Sequence, residues 1–521
     1  MTIRSPRRPA TRADHPDLPA WPQWSLDKHG GRMLHPVEAT RRPDGSITRS
    51  TAYRAAVMLM PHGVLADAAA CVEVDTELDR VGMSLKRDPE SAWPSARLPA
   101  ELEELDAARR DRVPIPVVLF PRGTTTGVVD AWTAVQQVRL GVAQGRISTM
   151  RSAMGAISLE HLLVGAPFGG VPTWSPHDVR SGGEDGGSDD PYRLLPVAFT
   201  AGPPPRRPCG RDERRVVVAV PDSGINTHPW FGLRDMGDPL PADGFLQAYE
   251  ASAEVLREQA ERLDGLTPTQ VLTSVWEDVP HTDELSQRIG GATGHFTFIA
   301  GRIRQNAPDA DVLALRVLHP DNVCYEADLL VALWLLVART RRGDQVDVVS
   351  LSIGGYVEDD SAAARNLREV VTELTDLGVV VVAAAGNDAT TRRFYPAALA
   401  TENPMVLGVG ALNPDDTEAW FSNAGAYVTV EATGGNVVST FPTSVRGSRG
   451  PRLQSGSGAR RTADPDSFAG GFAVGSGTSY AAPEVAAAVA VELTGGAVGI
   501  PVPDTGSRVE RAFDAVKRLL A

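Results

Sequence analysis

Three of the segments that could do chemistry in this chain place a polar side chain where a strand ends or a helix begins. Asp222 follows the apolar run 216–220 and precedes Ser and Gly, so its carboxylate stands at the carboxyl end of a buried strand. Such a carboxylate can accept a hydrogen bond and stay ionised. His295 follows a glycine at the start of a helical stretch, with small Ala300 and Gly301 on the following turn. Its ring can therefore point out of the helix toward a neighbouring strand end.

Ser479 lies in the sequence Gly-Ser-Gly-Thr-Ser-Tyr-Ala-Ala-Pro, which runs into an Ala-rich helix. A serine at a glycine-led helix N-terminus sits in the partial positive charge of the helix dipole, which favours a developing alkoxide or oxyanion. Asn387 follows the apolar strand 379–385 and Gly386. Its side-chain amide can donate a hydrogen bond to a tetrahedral oxyanion. Taken singly, each of these segments also fits an ordinary turn or helix start.

A fifth segment, residues 350–355, is a strand that ends in a pair of glycines. Together with the strand before Asn387 it could form walls along which an extended peptide adds as a further strand. The residues predicted to bind a substrate are Ser352, Ile353, Gly354, Ala384, Ala385 and Gly386. Glu358, Asp359 and Asp360 follow, and we hypothesise a mild preference for basic substrates, with a solvated helix start as the alternative.

Continuous apolar strands are expected at residues 215–220, 312–317, 346–353, 379–385 and 406–409. Helical stretches at 326–339 and 361–377 separate them. This alternation indicates a parallel sheet that is covered on both faces. In such folds the functional residues gather at the carboxyl ends of the strands.

From about residue 215 to residue 493 these segments resemble the subtilase family of subtilisin-like serine proteases, in the chain order Asp, His, Ser. Further similarities are Tyr-Pro-Ala at 395–397, Val-Gly-Ala at 409–411 and Phe-Ser-Asn at 421–423. The resemblance implies a three-layer α/β/α catalytic domain with a mainly parallel sheet. It also implies a serine-type endopeptidase that acts on peptide or protein substrates.

Carried over residue by residue, the resemblance makes Ser479 the nucleophile and His295 the general base, which later protonates the leaving amine. Asp222 would fix the imidazole tautomer, and Asn387 would hold the oxyanion together with the backbone N–H of Ser479. No cofactor is required for this chemistry. Structural calcium is common in the family, but no Asp-rich loop here has a ligand spacing that predicts a site.

The sequence departs from the family pattern beside the histidine. Phe296 stands where glycine is usual, and Phe298 where a second histidine is common. Bulk beside the base could shift the ring, which leaves a second reading open: a latent or non-catalytic peptide-binding protein with the subtilase fold. A third reading is an active enzyme with narrow selectivity, such as a maturation protease for one peptide or protein.

The region before the linker predicts a smaller α+β domain at residues 51–165. Strands at 53–60, 82–87, 113–120 and 156–164 alternate with helices at 64–81 and 128–142. This β-α-β, β-α-β order is that of a ferredoxin-like unit, which is also the fold of many subtilase propeptides. An unrelated regulatory or substrate-recognition domain is the alternative. The remaining predicted parts are a tail at 1–50, a linker at 166–210, the peptidase domain at 211–500 and a C-terminal helix at 501–521.

Length and composition limit the number of domains, the kinds of partner and the location that the sequence predicts. The 521 residues, 42% apolar and 22% charged, predict a globular protein of two or more domains. A net charge of −14 argues against nucleic acid or anionic membranes as partners. The three scattered cysteines and the missing apolar signal segment predict a cytoplasmic protein, although export without a signal peptide stays open. The oligomeric state is not indicated by the sequence.

Overall fold

The computed structural model describes residues 3–6, 21–36, 48–123, 128–165, 194–198, 201–241, 244–277, 282–283, 288–358, 364–446, 453–462, 467–502 and 507–521. Its centre is an eight-stranded sheet. The strand order is Ile3–Arg4, Val430–Thr433, Val406–Leu412, Val380–Ala384, Val348–Leu351, Val217–Asp222, Asp311–Arg316 and Leu246–Ala248. Every pairing is parallel except that of the edge strand Ile3–Arg4.

Alternate residues of each strand enter two separate hydrophobic layers. Val218 and Val220 pack on one side with the helices His295–Asn306 and Thr478–Thr494, whereas Ala219 packs on the other. Because both faces are covered, the strands read as unbroken apolar runs in the sequence. Together with the helices on the second face, Glu326–Arg341 and Arg365–Asp376, the sheet forms the three-layer α/β/α sandwich that the resemblance implies.

The smaller α+β unit lies before this sandwich in the chain. Its strands are Thr51–Pro61, Met83–Ser84, Pro114–Val118, Phe120–Pro121 and Ser158–Gly165, and its helices are His62–Ala66, Ala68–Asp79, Ala100–Glu103, Ala107–Arg110, Ala131–Ala143 and Arg151–Met154. The long strand Thr51–Pro61 is central: it pairs antiparallel with Pro114–Val118 and with Ser158–Gly165. The strand expected at 82–87 is only Met83–Ser84, and it pairs with Phe120–Pro121 in a separate two-stranded sheet.

The helix Glu326–Arg341 joins the two units. It is apolar around its whole circumference, and such a helix is stable only when it is covered on all sides. Its residues belong to one hydrophobic cluster that includes Leu59 and Val74 of the smaller unit and Leu313 of the central sheet. The guanidinium of Arg112 stacks on the ring of Trp334, 5.6 Å from its centroid. The smaller unit and the sandwich thus share a core.

Several predicted boundaries differ from the structure for local reasons. The helix expected at 64–81 is two helices, because the Asp67 side chain caps a new start by accepting from the N–H groups of Ala69 and Ala70. Residues 245–263 predict a surface helix in the long segment between Asp222 and His295. The helix begins only at Glu250, since Leu246–Ala248 forms the edge strand of the sheet.

The N-terminal residues also hold more regular structure than the expected tail. The described part of 1–50 contains the strand Ile3–Arg4, the helix Gln23–His29 and the strand Gly31–Leu34. The helix is tied down because the His29 ring bonds Tyr325 and Asp321, at 2.8 and 2.9 Å. Most of the predicted linker 166–210 lies outside the described residues, as do residues 447–452 and 463–466.

The remaining elements are short or peripheral. They are the strands Leu195–Pro196, Glu213–Arg214, Thr282–Asp283, Arg288–Ile289, Val323–Tyr325, Ile353–Gly354, Val437–Thr440, Phe472–Gly475 and Ile500–Pro501, the 3-10 turns Pro229–Phe231 and Ala397–Thr401, and the C-terminal helix Arg508–Leu520. Within the described residues, every helix is too short or too polar to cross a bilayer.

We expect Gly301→Ala to destabilise the helix that carries His295. A Cβ atom at Gly301 would lie 2.1 Å from Oγ1 of Thr440 and 2.5 Å from Oγ of Ser439. These hydroxyls already donate to carbonyls of the same helix, so they have little room to move. Overpacking of this kind costs about 1 to 3 kcal/mol, which urea unfolding should detect.

Gly202→Ala is the matched control, since a Cβ atom there meets nothing within 4 Å. Equal unfolding midpoints for the two variants would show that the close approach at Gly301 does not constrain the helix.

Candidate active site

Asp222 and His295 meet at the carboxyl end of the central sheet. Nδ1 of His295 lies 2.8 Å from Oδ1 and 3.0 Å from Oδ2 of Asp222. Asp222 ends its strand, and His295 is the first residue of its helix. Both side chains are buried, and the carboxylate also accepts the N–H of Ser223 at 2.7 Å. The sequence-predicted pair is therefore assembled.

Two further polar groups hold the start of this helix in place. The Ser223 hydroxyl accepts the N–H of Phe296 at 3.1 Å, and Oε1 of Glu277 accepts the N–H of Gly294 at 2.8 Å. The other oxygen of Glu277 accepts from Nδ2 of Asn226 at 2.9 Å. Burial raises the pKa of Glu277 to about 8, although these bonds oppose the shift. Sequence reasoning missed Glu277, because no local pattern connects it with residue 294.

The two phenylalanines beside the histidine do not disturb it. Phe296 is fully buried in the hydrophobic layer that includes Val220 and Ile225. Phe298 stacks on Tyr480, with ring centroids 4.0 Å apart. Because the His295 to Asp222 bond is intact, the departure from the family pattern at residue 296 leaves the pair in place.

Ser479 lies in the first turn of the helix Thr478–Thr494 and is fully buried. Its Oγ atom and Nε2 of His295 are both buried without a hydrogen-bond partner among the described residues. The backbone carbonyl of Ser479 accepts from Oγ of Ser352 at 2.9 Å. The serine is thus positioned against the predicted wall but is not bonded to the histidine, as is common before a substrate aligns the two groups.

Asn387 is fixed by Thr478, the residue before the serine. Both the backbone N–H and the hydroxyl of Thr478 donate to Oδ1 of Asn387, each at 2.9 Å. The same hydroxyl accepts the N–H of Gly386 at 3.2 Å. Since both donors of Thr478 bond the oxygen, the amide nitrogen of Asn387 is turned the other way.

The predicted substrate wall is occupied by the chain itself. Ile353 and Gly354 pair antiparallel with Gly165 and Val164, the last residues of the strand Ser158–Gly165. We call this strand the inserted strand. A second short strand, Val323–Tyr325, pairs antiparallel with its other edge, at Val164, Leu163 and Leu162. Sequence reasoning missed this second strand, because three residues before a helix give no periodic signal.

The two short strands, Val323–Tyr325 and Ile353–Gly354, form a groove in which an extended segment is the middle strand. We call them the groove strands. Backbone pairing on both edges is how an extended peptide adds to open strands. Leu163 of the inserted strand is buried against the groove, since a Cβ atom on Gly355 would lie 2.7 Å from its Cδ2.

The second predicted wall, Ala384 to Gly386, is buried at the end of the central strand that precedes Asn387. The carbonyl of Ala385 accepts from Nδ2 of Asn423 at 2.9 Å and from the hydroxyl of Tyr427 at 3.1 Å. Gly386 has a positive φ of 98° and lies close to Asn423, which leaves no room for a side chain. In this second wall, the carbonyl of Ala385 thus already accepts two hydrogen bonds from within the chain.

Several known proteases are similar to part of the chain. Thermitase of Thermoactinomyces vulgaris is 33% identical over 179 residues, which are 32% of this chain and 58% of that protein. The major intracellular serine protease of Bacillus subtilis (strain 168) is 30% identical over 196 residues, 32% of this chain and 57% of that protein. The chain thus spans less than three fifths of these relatives' length.

Two more distant similarities cover more of the chain. The subtilisin-like protease 1 of Trichophyton rubrum is 26% identical over 315 residues, 54% of this chain and 53% of that protein. A crystal structure of a lanthipeptide protease matches with a TM-score of 0.35 and 19% identity over 53% of this chain and 72% of that one. The model of the subtilase family matches residues 213–495, more than half of the chain. This chain belongs to the subtilase family.

Proposed function

We propose that the protein is a serine endopeptidase with Ser479 as nucleophile, His295 as general base and Asp222 as the group that orients the imidazole. The observation that carries the proposal is the bond of 2.8 Å between His295 and Asp222, in a site where Ser479 opens a helix. Asn387, fixed by Thr478, supplies the side-chain donor to the oxyanion.

In the proposed reaction Nε2 of His295 takes the Ser479 proton while Oγ attacks the substrate carbonyl carbon. The carbonyl oxygen gains the negative charge and accepts hydrogen bonds from the Asn387 amide and the Ser479 N–H at the helix N-terminus. His295 then gives its proton to the leaving amine, and the C–N bond breaks. Water, activated by the same histidine, hydrolyses the acyl ester and restores the serine. Side chains and water suffice for these steps, and we propose no cofactor.

We further propose that the intact chain is a closed form of this enzyme. The inserted strand lies between the groove strands, where an extended substrate would lie. The smaller unit also covers Trp334 and shares the hydrophobic cluster of helix Glu326–Arg341, so its departure would expose a large apolar surface. We therefore infer a retained regulatory domain rather than a segment that is lost after folding.

A non-catalytic peptide-binding protein is the second candidate. The observation in its favour is that Ser479 Oγ and His295 Nε2 have no hydrogen bond within the described residues while the groove is filled. The two candidates make opposite predictions for covalent labelling of Ser479.

A groove that is closed by the inserted strand suits a selective maturation protease better than an enzyme of bulk digestion. Only a substrate that displaces this strand gains access to the groove. We propose such a role and a cytoplasmic location, which the three unpaired cysteines, Cys71, Cys209 and Cys324, support.

A fluorophosphonate should label the full-length protein slowly on Ser479 and leave the chain at full-length mass. The triad activates the serine, but the inserted strand limits access to it. Intact-mass analysis over time measures both quantities.

Ser479→Ala is the control and should take up no label. If the parent chain stays unlabelled even after hours with excess reagent, the peptide-binding candidate is favoured. If the chain is cut near residues 165–210 and the N-terminal fragment is lost, the smaller unit is removed and not retained.

Thr478→Val should slow phosphonate labelling about 10-fold, because the Asn387 amide loses one of the two donors that fix it and the tetrahedral adduct is held less well. Thr478→Ser keeps the hydroxyl and should label within about 2-fold of the parent, where a factor of 2 is only about 0.4 kcal/mol. Equal rates for the Val variant and the parent would remove Thr478 from the positioning of Asn387.

A further inference from the structure

Two buried carboxylates bracket the imidazole of His161 on the inserted strand. Nδ1 of His161 lies 2.5 Å from Oε2 of Glu326, and Nε2 lies 2.7 Å from Oε2 of Glu358. All three side chains are buried. A neutral imidazole has a single N–H, so two carboxylate partners call for the doubly protonated cation. The solvated helix start that was the alternative for Glu358 is not observed.

The smaller unit supplies cations to the two carboxylates. Besides His161, the guanidinium of Arg139 lies 4.0 Å from the other carboxylate oxygen of Glu358. Burial alone would lower the pKa of His161, but the charges of Glu326 and Glu358 outweigh burial and raise the pKa to about 10. Glu326 opens the helix that follows one groove strand, and Glu358 lies four residues beyond the other. Both acids therefore belong to the sandwich.

The place of His161 in the groove is set by the backbone. His161 is two residues before Leu163 and four before Gly165, which pairs with Ile353. Alternate residues of a strand point to the same face, so His161 and Leu163 face the same side while Leu162 faces the other. Four residues of strand span about 13 Å. An extended peptide in this groove would therefore present one side chain to Glu326 and Glu358, about 13 Å along the strand from the residue that takes the place of Gly165.

We propose that Glu326 and Glu358 form a subsite that selects a basic side chain, two residues before the apolar residue that takes the place of Leu163. This inference rests on the proposed function in one respect, that a peptide replaces the inserted strand. His161 would be the internal copy of the residue that the subsite recognises. A neutral side chain would remove the cation that lies between the two carboxylates and bonds both, which is the physical source of the selection.

The test is binding of fluorescent octapeptides to the full chain, read by anisotropy. The reference peptide copies residues 158–165, Ser-Leu-Glu-His-Leu-Leu-Val-Gly, with Lys in place of the fourth residue. Two matched peptides carry Gln at the fourth residue, or Gln at the fourth and Lys at the fifth. The receiving protein is His161→Gln, in which the inserted strand is weakened and can be displaced. Leu163→Ser loosens the strand without touching the carboxylates and serves if the first variant does not fold.

We expect the peptide with Lys at the fourth position to bind at least 10-fold more tightly than either matched peptide. When Glu326→Gln and Glu358→Gln are introduced into the receiving protein, the affinities of the three peptides should agree within about 2-fold. Little more than the backbone pairing that they share would then hold them. Equal binding of the three peptides would overturn the proposal, as would a preference for Lys that survives loss of both carboxylates.

A second measurement tests whether residue 161 must carry a positive charge in the full-length protein. Hydrogen exchange of the amides in residues 162–165 should be slow in the parent and in His161→Lys, and at least 10-fold faster in His161→Leu. Equal exchange in the Lys and Leu variants would overturn the charge requirement. Neither measurement depends on catalysis, so a chain that binds the Lys peptide but resists phosphonate would contradict the proposed function and leave the subsite standing.

Discussion

The backbone pairing of the inserted strand with the two groove strands is the interaction on which the rest of the arrangement depends. It joins the antiparallel sheet of the smaller unit to the edge of the candidate active site and places residues 162–165 where the proposed function puts a substrate strand. An open groove would present unpaired N–H and C=O groups on both strands, and such edges attract any extended segment. The chain satisfies these groups internally with residues 162–165.

The chemistry behind this strand is held by close packing and short polar contacts. Gly301 lets the His295 helix approach Ser439 and Thr440, while Glu277 and Ser223 fix the first backbone N–H groups of that helix. These contacts come from segments far apart in sequence. They hold the imidazole beside Asp222. Under the proposed function, opening the groove then has to admit the substrate and align Ser479 with His295.

The sequence was most informative where strong local signals coincide with the fold. The apolar runs before Asp222 and Asn387 and the glycine-led helix at Ser479 predicted strand ends and a helix start that the structure has, because buried parallel strands leave little ambiguity. The sequence could not show which segment fills the groove. That depends on register between the Leu162 region and Val323–Tyr325, a long-range pairing with no local signature.

Glu358 illustrates the same limit at a single residue. Its position after the Gly-Gly strand was visible, but its burial against His161 depends on how the smaller unit docks. Phe296 is the converse case: its identity suggested a disturbed histidine, while its side chain turns into the core layer. Residue type alone does not report which way a side chain at a helix start will face.

The most direct test of the central claim is a disulfide across the groove. Leu163 lies opposite Cys324 in the antiparallel pair, and opposed residues have Cα atoms about 4.5 to 5.5 Å apart, within reach of a disulfide. Under mild oxidation Leu163→Cys should lose about 2 Da, the mass of two hydrogens released per disulfide formed, and a linked peptide should contain residues 163 and 324. Ser479 should then resist phosphonate until the bond is reduced. Val164→Cys, opposite Val323, should stay unlinked. If Leu163→Cys does not link to Cys324, or if the linked chain labels as fast as the reduced one, the inserted strand does not close this site.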